Sequence, residues 1–388
     1  MLKLIDLSDS QNLIEIPNLT GAPNLKQLIL QGCTELPKIH ASVGNLKQLI
    51  QLDLNGCKCL ESLPQTINLE SLEVFILSGC LRLKKFPEVV GKMSCLLELY
   101  LNETAINDLP LSMEHLTGLI KLDLRDCKNL SSLPNACCSS MSLKVLTLSG
   151  CSKLDELPQN LGNLKGLEVL DVSGTAIKGL PKSNNLLKNL RQMSFHGCEE
   201  PSPKSSNKFL GFPLIPRRST NPMGMLVHNL SGLCSLIELD LSYCNLQKIP
   251  DVIGCLSSLL ELDLMGNNFV YLPKSMIRLS NLKVLCLNYC MSLRSLPKLP
   301  LNIKYIHARG CTSLETLSLG SDDDFWPTLY LLNCIKLMEN QGYNDLLSTM
   351  PIRYILNNQV CVCVCVCVCE VLSMCVCVCV CVFVCVKF

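Results

Sequence analysis

A thirteen-residue phrase that recurs along the chain decides the fold. Residues 122–134 are LDLRDCKNLSSLP, and residues 146–158 are LTLSGCSKLDELP. Each phrase holds two alternating leucines, a cysteine three residues later, and a closing Leu-Pro. The closing prolines follow one another at intervals of 23 to 24 residues, as Pro64, Pro87, Pro110, Pro134, Pro158 and Pro181, then Pro250, Pro273 and Pro297. Such a period is typical of leucine-rich repeats.

The cysteine position of the phrase, which we call the slot, can be followed through thirteen repeats. It is held in turn by Ser10, Cys33, Cys57, Cys80, Thr104, Cys127, Cys151, Thr175, Cys198, Cys244, Asn267, Cys290 and Cys311. Apolar residues stand five and three positions before each slot, which is the alternation of a strand with one buried face. We therefore expect an α/β solenoid, a leucine-rich-repeat horseshoe of about 13 repeats with a parallel concave β-sheet.

Composition divides the chain into further parts. Residues 1–319 carry the repeats, with a proline-rich and basic insertion at 199–230, and residues 320–358 form a truncated post-repeat segment. Within that segment, residues 330–337 could be one degenerate repeat or the opening strand of another domain. Residues 359–388 are a Val-Cys tail, which a GT dinucleotide tract encodes in every reading frame of that strand. We interpret the tail as a translated microsatellite. Its apolar length also admits a membrane anchor, although strict Val/Cys alternation favours extended structure over a helix.

The remaining composition argues against chemistry. The net charge is +1, so no basic stripe for nucleic acid is expected. Nine of the 27 cysteines occupy slots and ten lie in the last 28 residues, which indicates repeat register rather than disulfide pairing. The five histidines are scattered, and no phosphate loop or nucleophile with its base can be assembled from spacing. We predict no catalysis, no cofactor, no metal and no small-molecule ligand.

The candidate binding surface follows from the strand register, because residues between the strand leucines point away from the core. Our candidates for binding a protein on this concave face are Asp53, Tyr100, Asp123, Arg125, Asp171, His196, Asp240, Asp263, Tyr305, His307 and Arg309. The aspartates would form an acidic strip that favours a basic partner. The alternative is that Leu-Asp-Leu is a repeat habit kept by duplication.

The phrase Leu-x-Leu-Ser-Gly-Cys-x-x-Leu-x-x-Leu-Pro at 146–158 resembles repeats of plant intracellular immune receptors. The variants at 102–106 (NETAI) and 173–177 (SGTAI) resemble the same group, which carries a Toll/interleukin-1-receptor domain and a nucleotide-binding domain and includes the tobacco mosaic virus resistance protein family. The resemblance implies a cytoplasmic or nucleocytoplasmic module. It would sense a pathogen effector protein and restrain the receptor's own nucleotide-binding domain.

Two alternatives remain open from the sequence. The chain could be a stand-alone intracellular leucine-rich-repeat signalling scaffold, or it could be a non-functional gene fragment. A secreted receptor is disfavoured, because the first residues, MLKLID, lack the apolar run of a signal peptide.

Overall fold

The repeats fold into two compact units, which we call unit 1 (Met1–Leu236) and unit 2 (Ile237–Phe388). The computed structural model describes residues 2–198, 229–317, 327–337 and 339–340. Nearly all of the insertion at 199–230, most of the post-repeat segment at 320–358 and the whole Val-Cys tail lie outside these residues.

Unit 1 is built on one parallel sheet of short strands, and strands are numbered β1 to β18 along the whole chain. In the described part of this unit the sheet holds β1 (Leu4–Asp6), β2 (Gln27–Ile29), β3 (Gln51–Asp53), β5 (Val74–Ile76), β7 (Glu98–Tyr100), β8 (Lys121–Asp123), β9 (Val145–Thr147), β10 (Val169–Asp171) and β11 (Gln192–Ser194). Each strand pairs with the next in constant register, so that Leu52 lies beside Leu28 and Phe75 beside Leu52. The equal spacing of the repeats keeps this register from β1 to β11.

Unit 2 repeats the arrangement. Its described sheet holds β12 (Glu238–Asp240), β13 (Glu261–Asp263), β14 (Val284–Cys286), β16 (Tyr305–His307) and β18 (Thr328–Tyr330). β18 pairs in parallel with β16, so that Tyr330 lies beside His307. The sheet of unit 2 therefore extends beyond residue 319, where the sequence analysis placed the end of the solenoid.

The opposite side of each unit carries short and irregular structure, as the sequence predicts. Two-residue strands pair there, β4 (Thr66–Ile67) with β6 (Glu88–Val89) and β15 (Ser295–Leu296) with β17 (Thr316–Leu317). In the described residues this side also carries 3₁₀ helices of three to five residues, which are Ala41–Asn45, Leu111–His115, Asn135–Cys138, Leu161–Asn163, Lys182–Leu186, Asn229–Gly232, Asp251–Cys255 and Lys274–Arg278. Five of them follow a proline whose extended backbone stands at the N-cap, since proline fixes φ and tolerates the first turn.

Apart from the half-buried Ser10, the slot residues lie buried beside the bend, where cysteine thiols donate hydrogen bonds to backbone carbonyls. The Sγ of Cys57 donates to the carbonyl oxygen of Leu30 at 3.1 Å, and Cys127 donates to Leu101 at 3.1 Å. In both cases the acceptor is the last strand leucine of the preceding repeat, whose carbonyl also accepts the backbone N–H three residues later. The slot therefore suits a small donor, which gives this buried carbonyl a second hydrogen bond.

Buried leucines fill the rest of each core, and the slot recurs once more after Cys311. Cys334 lies 23 residues later, is buried, and donates to Ala308 at 3.1 Å. A fourteenth repeat thus follows the thirteen recognised in the sequence.

Within the part of the chain that the structure describes, no helix combines the length and apolar character needed to cross a membrane.

The open sheet faces as a candidate recognition surface

The surface that could contact a partner is the face of each sheet turned away from the leucine core, which we call the open face. The strand leucines are buried while the residues between them point outward. All eleven candidate residues lie on an open face, either within a strand or two residues beyond it. In unit 1 these are Asp53, Tyr100, Asp123, Arg125, Asp171 and His196, and in unit 2 they are Asp240, Asp263, Tyr305, His307 and Arg309.

The strand aspartates form hydrogen bonds to the backbone of the bend, a role that the sequence alone did not establish. Each accepts a hydrogen bond at its Oδ1 from the backbone N–H two residues later, at 2.8 to 3.1 Å. The aspartates that do so are Asp6, Asp53, Asp123, Asp171, Asp240 and Asp263. This Asx turn orders the bend after each strand. The recurrence of Leu-Asp-Leu therefore has a structural reason, independent of any ligand.

Two of these aspartates are more buried than an outward position suggests. Asp53 is 8% exposed and Asp123 is 1% exposed. Burial raises the pKa of Asp53, against the hydrogen bond from Asn55, and the charge of Asp6 raises it further. Burial acts the same way on Asp123, but the hydrogen bonds and charge of Arg125 outweigh it, so the pKa of Asp123 lies below its usual value.

Arg125 covers Asp123 and remains half exposed itself. Its Nη2 lies 2.7 Å from Oδ2 of Asp123, and its Nε donates to both carboxylate oxygens at 3.0 and 3.1 Å. The side chain of Arg125 is 53% exposed. Solvent therefore meets the guanidinium of Arg125, fixed by its ion pair, while the carboxylate of Asp123 lies beneath it.

Tyr100 lies beside this pair and is held from two sides. Its hydroxyl donates to Glu98 at 2.6 Å, and the Nζ of Lys121 lies 4.8 Å from the centre of its ring. Burial and the hydrogen bond to Glu98 raise the pKa of Tyr100 to about 12, so the phenol stays protonated at neutral pH. Tyr100, Lys121 and Arg125 thus form a rigid patch of mixed aromatic and cationic character on unit 1.

Unit 2 carries an aromatic patch at β16 and β18. The rings of His307 and Tyr330 stack with centroids 4.5 Å apart and planes 3° from parallel. Tyr305 and Arg309 are exposed on the same strand or directly after it. Tyr330 was not among the candidate binding residues, although Cys334 lies one period beyond Cys311 and so marks the repeat.

Sequence reasoning also missed two tyrosines in the bends of unit 2. The residue before each slot has positive φ in every described repeat, and eight of these residues are glycine. Tyr243 and Tyr289 occupy that position with φ of 53° and 60°, which is a strained conformation for a bulky side chain. Both remain exposed, at 38% and 39%. The available signal was a tyrosine where most repeats have glycine.

Burial affects the reactivity of two slot thiols. Burial raises the pKa of the slot thiols Cys57 and Cys290 to about 12, so these thiols are protonated and poor nucleophiles at neutral pH. His196 lies exposed at the end of β11, away from the other histidines in the sequence. Within the described ranges, no three His, Cys, Asp or Glu side chains group closely enough to hold a metal ion.

The chain is similar in sequence to leucine-rich repeats of plant disease resistance proteins. Residues 68–156 match the family described as "Disease resistance protein RPS4B-like, leucine-rich repeats", and residues 235–256 match "Leucine Rich Repeat". The chain is 40% identical over 345 residues to Disease resistance-like protein DSC1 of Arabidopsis thaliana, covering 88% of this chain and 26% of that protein. It is 38% identical over 353 residues to TMV resistance protein N of Nicotiana glutinosa, covering 87% of this chain and 29% of that protein.

A third relative, Disease resistance protein RPP2B of Arabidopsis thaliana, is 39% identical over 317 residues, covering 82% of this chain and 24% of that protein. The chain therefore spans about a quarter of the length of these relatives. Among solved structures, a leucine-rich-repeat protein of Leptospira interrogans matches with a TM-score of 0.53 and 22% identity, over 88% of each chain. That likeness supports the solenoid fold alone.

Proposed function

The repeats of this chain are leucine-rich repeats of the plant disease-resistance type, and on that premise we propose that the chain is the part of such a receptor that recognises a pathogen effector protein. The leucine-rich-repeat fold is a scaffold for protein interaction, since stacked repeats present one extended surface. Recognition in the cytoplasm, or between cytoplasm and nucleus, belongs to the same proposal. We assign the chain no catalytic step.

The observation that carries this proposal is the Tyr100 patch of unit 1. Tyr100 is fixed by Glu98 and Lys121, and Arg125 is fixed by Asp123. Tyrosine and arginine are the side chains that most often dominate protein interfaces, and they bind most strongly when they are already ordered. A patch of both types that is ordered before binding loses little conformational entropy when a partner docks.

The restraint of a receptor's nucleotide-binding domain is the second part of the proposal. It uses the same kind of surface, because a resting domain and an effector protein can compete for one face. The chain aligns with these relatives over 82–88% of its length at 38–40% identity, which supports a shared arrangement of the repeats.

A display selection tests the recognition proposal. Secreted proteins of plant pathogens, displayed on phage, are selected on the full chain. The enriched clones are then measured for affinity to Tyr100→Ala/Arg125→Ala and to a control, Asp155→Ala/Lys182→Ala, whose exposed residues lie off the open face. We expect clones that lose at least tenfold in affinity to the first variant and keep their affinity to the control. Clones that bind both variants equally, or lose affinity only to the control, would contradict recognition through this patch.

A further inference from the structure

Three exposed or half-buried cations lie around the aromatic side chains near the end of the described sheet of unit 2. We propose that this surface binds an acidic segment, rich in aspartate or glutamate, of the protein partner. The inference rests on the proposed function, because it names the chemistry of one region of the recognised protein. We call the surface the basic aromatic patch, and its residues are Lys283, Lys304, Tyr305, His307, Arg309 and Tyr330.

The two lysines stand at the same repeat position, one residue before β14 and one residue before β16. The backbone N–H of Lys304 donates to the carbonyl oxygen of Lys283 at 2.8 Å, so the two residues are direct neighbours. Lys144 and Glu168 of unit 1 are joined by the same backbone bond, at 2.8 Å, and their side chains form an ion pair at 3.2 Å. Unit 2 has a second lysine in place of that glutamate. Like charges on neighbouring repeats repel each other, and an anionic partner would relieve the repulsion.

Arg309 places a third positive charge beyond the other end of β16. Its backbone N–H donates to Oδ1 of Asn288 at 2.8 Å, and its carbonyl oxygen accepts a hydrogen bond from Tyr289 at 2.6 Å. These bonds fix the backbone of Arg309, while its side chain remains exposed. A guanidinium on a fixed backbone suits a carboxylate, because its parallel N–H groups match the two carboxylate oxygens.

The same repeat position in unit 1 has a different neighbour. Arg125 lies there, and its side chain is held by Asp123 at 2.7 Å. In the repeat of Arg309 the residue that matches Asp123 is His307, which brings no carboxylate to the arginine. Among the described residues, neither Arg309 nor the two lysines of the patch form an ion pair. All three cations can therefore pair with carboxylates of a partner.

The aromatic side chains lie between the cations. Tyr305 is 43% exposed, and the rings of His307 and Tyr330 stack with centroids 4.5 Å apart. Tyrosine hydroxyls and imidazole N–H groups can donate hydrogen bonds to carboxylates. Lys304 and Arg309 are five positions apart in the sequence, which in an extended strand is about 17 Å. An extended acidic segment of about six residues lying along β16 therefore reaches both cations.

Carboxylates limit the basic aromatic patch on one side. Glu261 and Asp263 lie on β13, which pairs with β14 and is two strands from β16, a distance of roughly 10 Å. They would repel an acidic segment and so direct it along β16 and β18. The patch favours a protein segment over a nucleic acid, since a nucleic acid needs a longer groove of cations and β13 carries none on its open face.

The test uses synthetic probes and the full chain. Binding of rhodamine-labelled decaglutamate, decalysine and decathymidylate is measured by fluorescence anisotropy at low and at physiological ionic strength. The net charge of the whole chain is +1, so general attraction of a polyanion is small. We expect decaglutamate to bind with the lowest Kd of the three probes, and more weakly as the salt concentration is raised.

Two variants and a control localise the site. Lys283→Gln/Lys304→Gln removes the adjacent charges and should raise the Kd for decaglutamate at least fivefold. Arg309→Gln should raise it at least threefold. The control Lys84→Gln/Lys85→Gln removes two neighbouring charges at exposed positions of unit 1, between β5 and β6, and should bind as the parent chain does. Circular dichroism of each variant checks that its fold is intact.

Failure of decaglutamate to bind the parent chain, equal binding by the parent chain and both cation variants, or tighter binding of decalysine or decathymidylate would overturn the inference. The acidic residues 322–324 of the chain itself are the other candidate occupant. Asp322→Asn/Asp323→Asn/Asp324→Asn should change the Kd by less than threefold, and a larger gain in affinity would assign the patch to that stretch instead. All of these results leave the display selection free to succeed on the Tyr100 patch, so failure of this inference and failure of the proposed function are distinguishable.

Discussion

Replacing Asp53 and Asp123 by asparagine should change stability in opposite directions, although the two residues occupy the same repeat position. In both variants the asparagine Oδ1 can still accept the Asx-turn hydrogen bond. What differs is the residue two positions later, which is Asn55 in one repeat and Arg125 in the other. The same chemical change therefore removes an unpaired buried charge in one case and half of an ion pair in the other.

The magnitudes follow from burial and contacts. Asp123 is 1% exposed and receives three contacts of 2.7 to 3.1 Å from the Arg125 side chain. Hydrogen bonds to charged groups contribute about 1.5–3 kcal/mol, and the half-exposed guanidinium lowers this toward a surface value. We expect Asp123→Asn to reduce the free energy of unfolding by about 1–2 kcal/mol. Asp53→Asn should increase it by about 0.5–1 kcal/mol at neutral pH, since a buried carboxylate with a raised pKa opposes folding when ionised.

The pH dependence distinguishes these causes. The pKa of Asp123 is lowered in the folded protein, so its contribution is present above the unfolded value of about 3.9 and is lost as the pH falls through the folded pKa. The pKa of Asp53 is raised, so its ionised form destabilises the fold at neutral pH and that penalty disappears on acidification. Both differences from the parent chain should therefore shrink toward zero at low pH.

Urea denaturation at pH 7 and pH 3, together with hydrogen exchange of peptides covering β3 and β8, measures both effects. Local exchange is needed because repeat arrays can unfold in parts. Shifts of the same sign at pH 7, or an Asp123→Asn difference that persists unchanged at pH 3, would refute the electrostatic account.

Three further outcomes test the packing of the bends and slots. Gly266→Ala should destabilise the chain by about 2–3 kcal/mol, because the added methyl would meet the Tyr243 ring and because residue 266 has a φ of +68°. In a Tyr243→Gly background only the backbone strain of about 1 kcal/mol should remain. A double-mutant cycle that shows no coupling between the two positions would contradict the contact. Asn267→Ala should lower the free energy of unfolding, measured in urea, by about 2–4 kcal/mol, because the fully buried side-chain amide forms hydrogen bonds with the backbone of Leu241, Leu246 and Leu264. Asn267→Cys keeps one slot donor and should lower it less. Equal losses in the two variants would count against the slot role. The Cys57 thiol, with a pKa raised to about 12, should react with a maleimide far more slowly than exposed Cys95 in the folded chain and equally fast in urea, as peptide mass spectrometry would detect.

Much of the fold could be predicted from the sequence because one register accounts for the repeats. The period of 23 to 24 residues places each slot, and the alternation of leucines before the slot determines which residues face the core. The strands β1 to β16 of the main sheets therefore lie where the repeat phrase predicts them. At residues 330–337 the sequence left two interpretations open, one degenerate repeat or the opening strand of another domain, because the acidic stretch at 322–324 interrupts the repeat phrase before them.

The character of the open face was harder to predict. The register places Asp53 and Asp123 at the same repeat position, but the pKa of one is raised and that of the other is lowered. The difference depends on whether the side chain two residues later contacts the aspartate, as Arg125 does. The repeat pattern does not indicate that contact. The role of the recurring aspartates in Asx turns likewise depends on backbone geometry after the strand. Tyr243 and Tyr289 were missed because their interest lies in a positive φ and a glycine in the next repeat, which no leucine pattern indicates.

Carboxyl and tyrosine footprinting by mass spectrometry tests most directly whether the open faces are the recognition surface. A binder obtained by display is added to the full chain, and the labelling rates of side chains are compared with and without it. The account predicts protection of open-face residues such as Tyr100, Glu261 and Tyr289, with unchanged labelling of Glu35 and Asp155 away from that face. Protection confined to Glu35, Asp155 and the 3₁₀ segments would contradict it.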